Sequence, residues 1–229
     1  MGTTENSPTE VKKTSKTHYQ TLDEKITKMK VTFDNASLPE IFVIMVTIGY
    51  NAEKIAGMKT KLEELILLNA KQVKESADQS AAQDEFDKKK AEINNVFNIQ
   101  RGLLRILFKE DVEARKTLQL DLENPAAYGN WSQLITRFYV QLDNPDLLAK
   151  TSTVGVTAQK VEEQKQALTD LDAIKDRIIK EGGDAIGATS DRDIAFDELY
   201  PLYTDYIKYA KLLLPDDLLK MLGITPKSK

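Results

Sequence analysis

Apolar residues recur at three- and four-residue steps along much of this chain. The clearest stretch runs from Asn51 to Val73, and the lysines and glutamates there fall largely outside its apolar stripe. The stripe consists of Ile55, Met58, Leu62, Leu65 and Leu68. This spacing is typical of an amphipathic helix that buries one side, so the stretch predicts a helix.

The same pattern returns 106 residues later. Residues 48–71 align with residues 154–177, and the identical pairs are Gly49/Gly155, Ala52/Ala158, Lys54/Lys160, Lys59/Lys165, Leu62/Leu168 and Leu65/Leu171. Self-similarity at a fixed offset indicates a repeated structural unit. We therefore predict an internal duplication, with a first repeat at about 48–120, a connector at 121–153 and a second repeat at about 154–224.

Each repeat contains one interruption that favours a turn. In the first, Ser80 and Gln83 have the spacing of a capping box, which marks a helix start. In the second, Glu181–Asp193 contains the Gly182-Gly183 pair, which is a poor helix interior. The alternative is that the helices run on without turning. With turns near 76–80 and 182–190, each repeat becomes a helical hairpin.

The predicted fold is all-α, an antiparallel four-helix bundle built from two tandem hairpins with short accessory helices. The returning helix of the first hairpin, from Asp84 to about Phe108, has a broad apolar face. That face consists of Phe86, Ile93, Val96, Phe97, Ile99, Leu103, Leu104 and Leu107. Neither hairpin alone can cover so broad a stripe, which indicates one domain over residues 18–225.

The segment before the first repeat is loosely helical from His18 to Phe33 and is followed by a turn at Asp34–Ser37, where Ser37 is a candidate helix cap. The most apolar run of the chain, residues 41–50, comes next. It is about half the roughly 20 residues that a membrane-spanning helix needs. We expect it to be a buried helical segment, and the alternative is a membrane-seeking role.

Two Asn-Pro pairs in the connector, Asn124-Pro125 and Asn144-Pro145, have the form of a cap followed by a first-turn proline. Between them lies a short amphipathic helix that carries Trp131, the only tryptophan. Helical aromatic residues usually fill a core, and the alternative is a platform for stacking a ligand.

Composition narrows the class of protein. The 229 residues are 41% hydrophobic and 30% charged, with a net charge of −4, and cysteine is absent. A soluble helical protein fits these values, whereas nucleic-acid binding requires a strongly basic face. Residues 1–17 and 226–229 are predicted to be polar tails, the first of them flexible. Residues 1–17 contain no apolar secretory signal, so the default expectation is a cytoplasmic protein.

No spacing in the chain predicts a catalytic residue, a cofactor, a metal site or a small-molecule substrate. Gly182 to Thr189 resembles a phosphate-binding loop, but Ala188 stands where the lysine belongs, and we predict a turn. The acidic residues that could suggest calcium lack the required spacing, and caps explain them. They are Asp184, Asp191, Asp193, Asp197 and Glu198. His18 is the only histidine, which argues against a di-iron bundle or a catalytic triad.

The last long helix carries four tyrosines at steps of three residues: Tyr200, Tyr203, Tyr206 and Tyr209. Each step turns the side chain by about 60° on a helix of 3.6 residues per turn, so the four cannot face one core. Tyr203 and Tyr206 match the inward stripe, which also contains Ile194, Leu199, Ala210 and Leu213. Exposed tyrosines favour protein contacts, so the four are our candidate interface residues.

The duplicated pattern, the Trp131 connector ending in Phe138-Tyr139 and the tail Leu218–Ile224 resemble a group of uncharacterised bacterial helical-bundle proteins. The resemblance covers about residues 38 to 225. It implies a bundle fold and a bacterial-type source, and it carries no known activity.

These observations favour a non-enzymatic structural or interaction protein that assembles with itself or another protein. The alternative is a membrane-active helical protein, resembling pore-forming proteins in principle, that uses residues 41–50 as its apolar segment.

Overall fold

Residues 20–225 are described by a computed structural model, and within that range all regular structure is helical. The all-α prediction is confirmed, whereas the tails predicted at 1–17 and 226–229, and His18, lie outside the described residues. The helices are α1 Leu22–Asn35, α2 Pro39–Met45, α3 Ala52–Leu107, α4 Val112–Thr117, α5 Tyr128–Gln141, α6 Pro145–Ser152, α7 Ala158–Leu213 and α8 Asp216–Met221, with a 3₁₀ helix at Val46–Ile48.

The chain divides into two compact units. Among the described residues, unit 1 contains 20–67 and 194–225, and unit 2 contains Leu68–Asp193. The long helices α3 and α7 each contribute residues to both units.

Short signals in the preceding loop define the start of each long helix. The Asn51 side chain accepts a hydrogen bond from the Lys54 amide at 2.9 Å, and Thr157 occupies the corresponding position before α7. Gly49 and Gly155 have φ angles of 87° and 81°, a left-handed conformation that glycine adopts without a steric cost. The loops can therefore turn sharply into helices of 56 residues each.

The core of unit 1 forms where α1 and α2 cover the first turns of α3 and the last turns of α7. Phe33 packs edge-on against Tyr203, and Tyr50 packs edge-on against Tyr206 with ring centroids 5.0 Å apart. The buried side chains of the predicted stripe, Ile55, Met58, Leu62 and Leu65, all belong to this core.

The core of unit 2 forms between α5 and the parts of α3 and α7 that belong to this unit, with α4 and α6 at its edge. Phe97 of α3 meets Phe138 of α5 with ring centroids 5.1 Å apart. Leu168 and Leu171 of α7 are buried in the same cluster. Three helical segments thus share the burial, and the predicted connector 121–153 supplies α5 and α6 to the core.

The predicted turn near Ser76–Ser80 is wrong, because α3 continues through it. The Ser80 hydroxyl donates to the Ser76 carbonyl one turn back at 3.0 Å, and the Gln83 side chain donates to Asp87. Ser80 therefore satisfies its hydroxyl within the helix instead of capping a new one. Ala82 and Phe86 are buried further along, so burial favours helix where local propensity is weak.

The turn predicted within residues 182–190 is also wrong, because α7 continues from Ala158 to Leu213. A helical glycine costs about 1 kcal/mol relative to alanine, a cost that burial of Ala185 and Ala188 helps to offset. A Cβ at Gly182 would lie 3.4 Å from the Gln79 side chain of α3. The region that resembles a phosphate-binding loop is therefore regular helix, and Pro201 lies inside the same helix.

Replacing Gly183 with alanine will raise the free energy of unfolding by about 1 kcal/mol. A Cβ at Gly183 meets no atom within 4 Å, so the gain in helix propensity comes without a clash. Gly182→Ala is the matched control, and its gain will be similar, because its Cβ would meet only the flexible end of the Gln79 side chain at an ordinary contact distance of 3.4 Å. Urea denaturation followed by circular dichroism measures both, and a loss of stability in Gly183→Ala would show that the chain turns there.

The two Asn-Pro pairs differ. Asn144 caps α6, accepting hydrogen bonds from the amides of Asp146 and Leu147, and Pro145 is its first helical residue, as predicted. Asn124 instead donates to Asn98 of α3 at 2.9 Å, and α5 begins only at Tyr128. The cap predicted at Ser37 is wrong as well, because Leu38 precedes Pro39 at the start of α2 and makes no side-chain cap.

Within unit 2, the ion pairs between α3 and α7 form a regular series along the two helices. Lys71 pairs with Asp191 at 3.8 Å, Glu85 with Arg177, and Lys89 with Asp170 at 3.5 Å. The residue numbers rise along α3 as they fall along α7.

Candidate interaction surfaces

The four candidate tyrosines lie at different depths in unit 1. Tyr206 is fully buried and packs edge-on against Tyr50. Burial, and then the electrostatic interaction with the nearby Tyr50 phenol, raises the pKa of Tyr206 above its ordinary value. Tyr203 is half-buried and packs against Phe33. A side chain as enclosed as Tyr206 cannot meet a partner without unfolding, so its role is in the core.

The other two tyrosines lie nearer the surface. Tyr200 stacks on Phe196 with ring centroids 4.9 Å apart, and the Lys25 ammonium lies 5.2 Å from the Tyr200 ring. Tyr209 is 47% exposed, with one side tilted against Tyr50. Of the four, Tyr209 offers the largest exposed fraction for a contact.

Tyr209 belongs to an exposed group on the last turns of α7, which we call the α7 patch: Tyr209, Leu212 and Leu213. Leu212 is 79% exposed, and Leu213, which was predicted to face inward, is also exposed. Lys208 and Lys211 are exposed beside them on the same helix, and Lys208 pairs with Asp205 at 2.8 Å. The α7 patch is therefore apolar with two flanking lysines.

A second exposed group, which we call the α3 patch, lies in unit 2 and consists of Ile99, Leu103, Ile106 and Val112. The first three are spaced by four and three residues and so share one face of α3. Ile106 is 75% exposed. The breadth of the apolar face predicted for this helix exceeds what the core of unit 2 covers, and the α3 patch is the remainder.

A cavity of about 850 Å³ opens at the end of the α3 patch. Its lining runs from Ile106 to Glu113 and includes Lys150 and Thr153. Two lining acids are paired, Asp111 with Lys150 at 3.7 Å and Glu110 with Lys109 at 3.4 Å. Glu113 adds a third acid in the first turn of α4. The cavity lining thus combines apolar side chains with three acids and two lysines.

Three carboxylates come together where α3 and α7 pair in unit 2. Glu75, Asp78 and Glu181 can bring one oxygen each within 4.8 Å of one another. Lys74 pairs with Asp78 at 2.9 Å, and Lys180 lies 3.8 Å from Glu181. These lysines offset the local negative charge.

Four of the five acidic residues weighed for calcium pair with different cations, and the fifth, Asp197, is exposed. Asp184 pairs with Lys180, Asp191 with Lys71, Asp193 with Arg192 and Glu198 with Lys61. The close hydrogen bond to the Lys61 ammonium lowers the pKa of Glu198 below its ordinary value. Each of the four paired acids therefore serves a separate surface ion pair.

Trp131 is buried in unit 2, where its indole N–H donates to Asn94 at 3.0 Å. The Lys90 ammonium lies 5.6 Å from its ring, and a shallow cavity at Asn124 and Pro125 adjoins it. Its buried ring is part of the core, in agreement with the first interpretation.

The sequence pattern did not predict two polar features of the unit 2 core, the hydrogen bond between Tyr139 and Gln100 and the buried guanidinium of Arg101. The Tyr139 hydroxyl donates to the Gln100 side chain at 2.8 Å, and burial raises the pKa of Tyr139. Arg101 is buried with its guanidinium 4.9 Å from the Phe97 ring, and its Nη1 has no hydrogen-bond partner. Burial, and then the nearby charge of Arg105, lowers the pKa of Arg101. Helical periodicity alone does not reveal such pairings.

The hydropathy of the described helices bears on the membrane alternative. No individual helix among residues 20–225 has both the length and the apolar content to cross a bilayer. Leu22–Asn35 and Pro39–Ile48 together have enough length and apolar content for a membrane span, but the two segments meet at a bend of 89°.

Comparison of the chain with protein-family models, with curated proteins and with solved structures finds no match.

Proposed function

We propose that this chain is a non-enzymatic structural or interaction protein that associates with further copies of itself. The observation that carries the proposal is the exposure of clustered apolar side chains, above all Ile106 and Leu212. Exposed apolar clusters with polar rims are typical of protein-contact sites. Ile106 and Leu212 both lie on long helices whose opposite faces are buried, so the helices can present them rigidly.

Self-association predicts an average mass that rises with protein concentration. Sedimentation velocity and light scattering on the full chain should show a shift from monomer to larger species as concentration increases. A chain that stays strictly monomeric at the highest attainable concentration would contradict the proposal.

The finer architecture that we propose is an antiparallel helical bundle. In unit 2 it would contain residues 68–107 of α3, α5, and residues 158–193 of α7. The order of ion pairs from Lys71–Asp191 to Lys89–Asp170 supports this arrangement. The two hairpins expected from the sequence do not form part of it, because α3 and α7 do not turn.

We also propose that the internal duplication extends further than residues 48–120 and 154–224. At the same offset of 106 residues, α1 corresponds to α5, with 14 residues each, and α3 to α7, with 56 residues each. The left-handed residues Gln119 and Gly223 follow α4 and α8 at equivalent distances. In this alignment Ile106 corresponds to Leu212, so both repeats carry an exposed apolar side chain at the same position.

The alternative function is membrane activity through residues 41–50. Val43, Val46 and Ile48 are exposed on this segment and favour it, whereas Ile41 and Met45 are buried in the core of unit 1 and oppose it. Dye release from liposomes of several lipid compositions distinguishes the two functions. Release that Val43→Asp abolishes would support membrane activity over self-association.

A further inference from the structure

We propose that the α7 patch of one copy docks into the cavity at the α3 patch of a second copy. This inference rests on the proposed self-association and names its two surfaces. Leu212 is the projecting group, and the cavity bounded by Ile106, Val112 and Thr153 is the receiving one. A projecting apolar side chain and a complementary pocket elsewhere on the same chain form a heterologous contact.

Charge decides between this contact and the like-with-like alternatives. The cavity lining holds three acids against two lysines, and Glu113 has no ion pair among the described residues, so the lining is net negative. The α7 patch is flanked by Lys208, which pairs with Asp205, and by Lys211, so this edge is net positive. Two α3 patches face to face would bring two net negative linings together, and two α7 patches would bring two net positive edges together. Like charges facing each other disfavour association, whereas the mixed contact sets lysines against glutamates.

The apolar part of the contact fits the same pairing. Ile106 and Leu212 are among the most exposed large apolar side chains of the described residues, so both have much surface left to bury. Burial of apolar surface is the dominant favourable term in association. Tyr209 lies at the edge of the α7 patch, where its ring can pack on Ile99 or Leu103 while its hydroxyl stays in water.

The experiment uses two full-length variants, Ile106→Glu and Leu212→Glu, each of which inactivates one surface. A glutamate buried in an apolar contact without a partner is strongly unfavourable. Each variant alone will associate at least tenfold more weakly than the wild type in sedimentation velocity. Because both side chains are exposed, circular dichroism and the melting temperature will stay close to those of the wild type.

Mixing the two variants gives the decisive result. Ile106→Glu keeps an intact α7 patch and Leu212→Glu keeps an intact cavity, so an equimolar mixture will form a heterodimer and nothing larger. Ile186→Glu is the matched control, since Ile186 is 74% exposed on α7 outside both patches, and it will assemble like the wild type. Reversing one charge beside the α7 patch with Lys211→Glu will weaken association, and adding Glu113→Lys at the cavity of the same chain will restore it.

Several outcomes overturn the inference, and they differ from failure of the proposed function. A mixture that stays monomeric, or a Leu212→Glu variant that assembles like the wild type, rules out this contact while leaving self-association intact. The second result, combined with a monomeric Ile106→Glu, would indicate that two α3 patches meet instead. A wild-type chain that is monomeric at every concentration rejects both the contact and the proposed function.

Discussion

Replacing Phe97 with alanine will lower the free energy of unfolding by about 3–5 kcal/mol. Phe97 is fully buried in unit 2, where it packs edge-on against Phe138 at 5.1 Å and against Tyr139 at 6.5 Å. Truncation removes the contacts of this ring with Phe138 and Tyr139, and it leaves a cavity that these two rings cannot fill without moving. It also removes the ring that lies against the Arg101 guanidinium.

The control lies two residues along the same helix. Ile99 is 57% exposed, so Ile99→Ala will change the free energy of unfolding by at most about 0.5 kcal/mol. Guanidinium denaturation followed by circular dichroism measures both variants. If unit 1 and unit 2 unfold in separate steps, only the step that belongs to unit 2 will shift in Phe97→Ala. Equal losses in the two variants would mean that α3 is oriented differently from the structure described above.

The helical repeat of the apolar residues predicted much of the fold. Ile55, Met58, Leu62 and Leu65 are buried as their spacing indicates, because periodicity reports which side of a helix leaves water. Asn144 and Pro145 begin a helix as predicted, since their effect is local and needs no tertiary partner.

The turns predicted at Ser76–Ser80 and Gly182-Gly183 were wrong, because the outcome there depends on tertiary packing and not on local preference alone. Local propensity disfavours helix there by about 1 kcal/mol for each glycine. The balance is set by tertiary packing, such as the burial of Ala185 and Ala188, which depends on residues far apart in sequence. A single sequence gives the local cost and does not give the contact that offsets it.

The burial of the residues around the four tyrosines was predicted in part, whereas their role as an interface stays a prediction. Periodicity correctly separated the buried Tyr206 from the exposed Tyr209, but it assigned Ile194 and Leu213 to the inward stripe, and both are exposed. The stripe on α3 was correctly seen to be broad. Which part of a broad stripe remains exposed depends on the width of the helices that cover it, and Ile99 and Leu103 lie beyond that cover.

The same substitution, tyrosine to phenylalanine, will have opposite effects at two buried positions. Tyr139→Phe will lower the free energy of unfolding by about 1–3 kcal/mol, because the Gln100 oxygen loses its donor inside the core. Tyr206→Phe will raise it by about 1 kcal/mol or more, because the Tyr206 hydroxyl is buried with no hydrogen-bond partner. Tyr128→Phe is the control, since the Tyr128 hydroxyl meets Asp172 at an exposed site.

Urea denaturation at neutral pH measures whether each variant gains or loses free energy of unfolding. A series of such measurements at rising pH tests whether the two hydroxyls are buried. Burial raises the pKa of both phenols above the value of about 10 expected in the unfolded chain. The folded state therefore keeps its full stability below about pH 10 and loses it as the pH rises further, because the unfolded chain ionises first. Removing either hydroxyl removes part of that alkaline loss, so both variants will resist high pH better relative to their own neutral stability. Two destabilised variants at neutral pH would mean that the Tyr206 hydroxyl has a partner, and an unchanged alkaline slope would mean that the phenols are not buried.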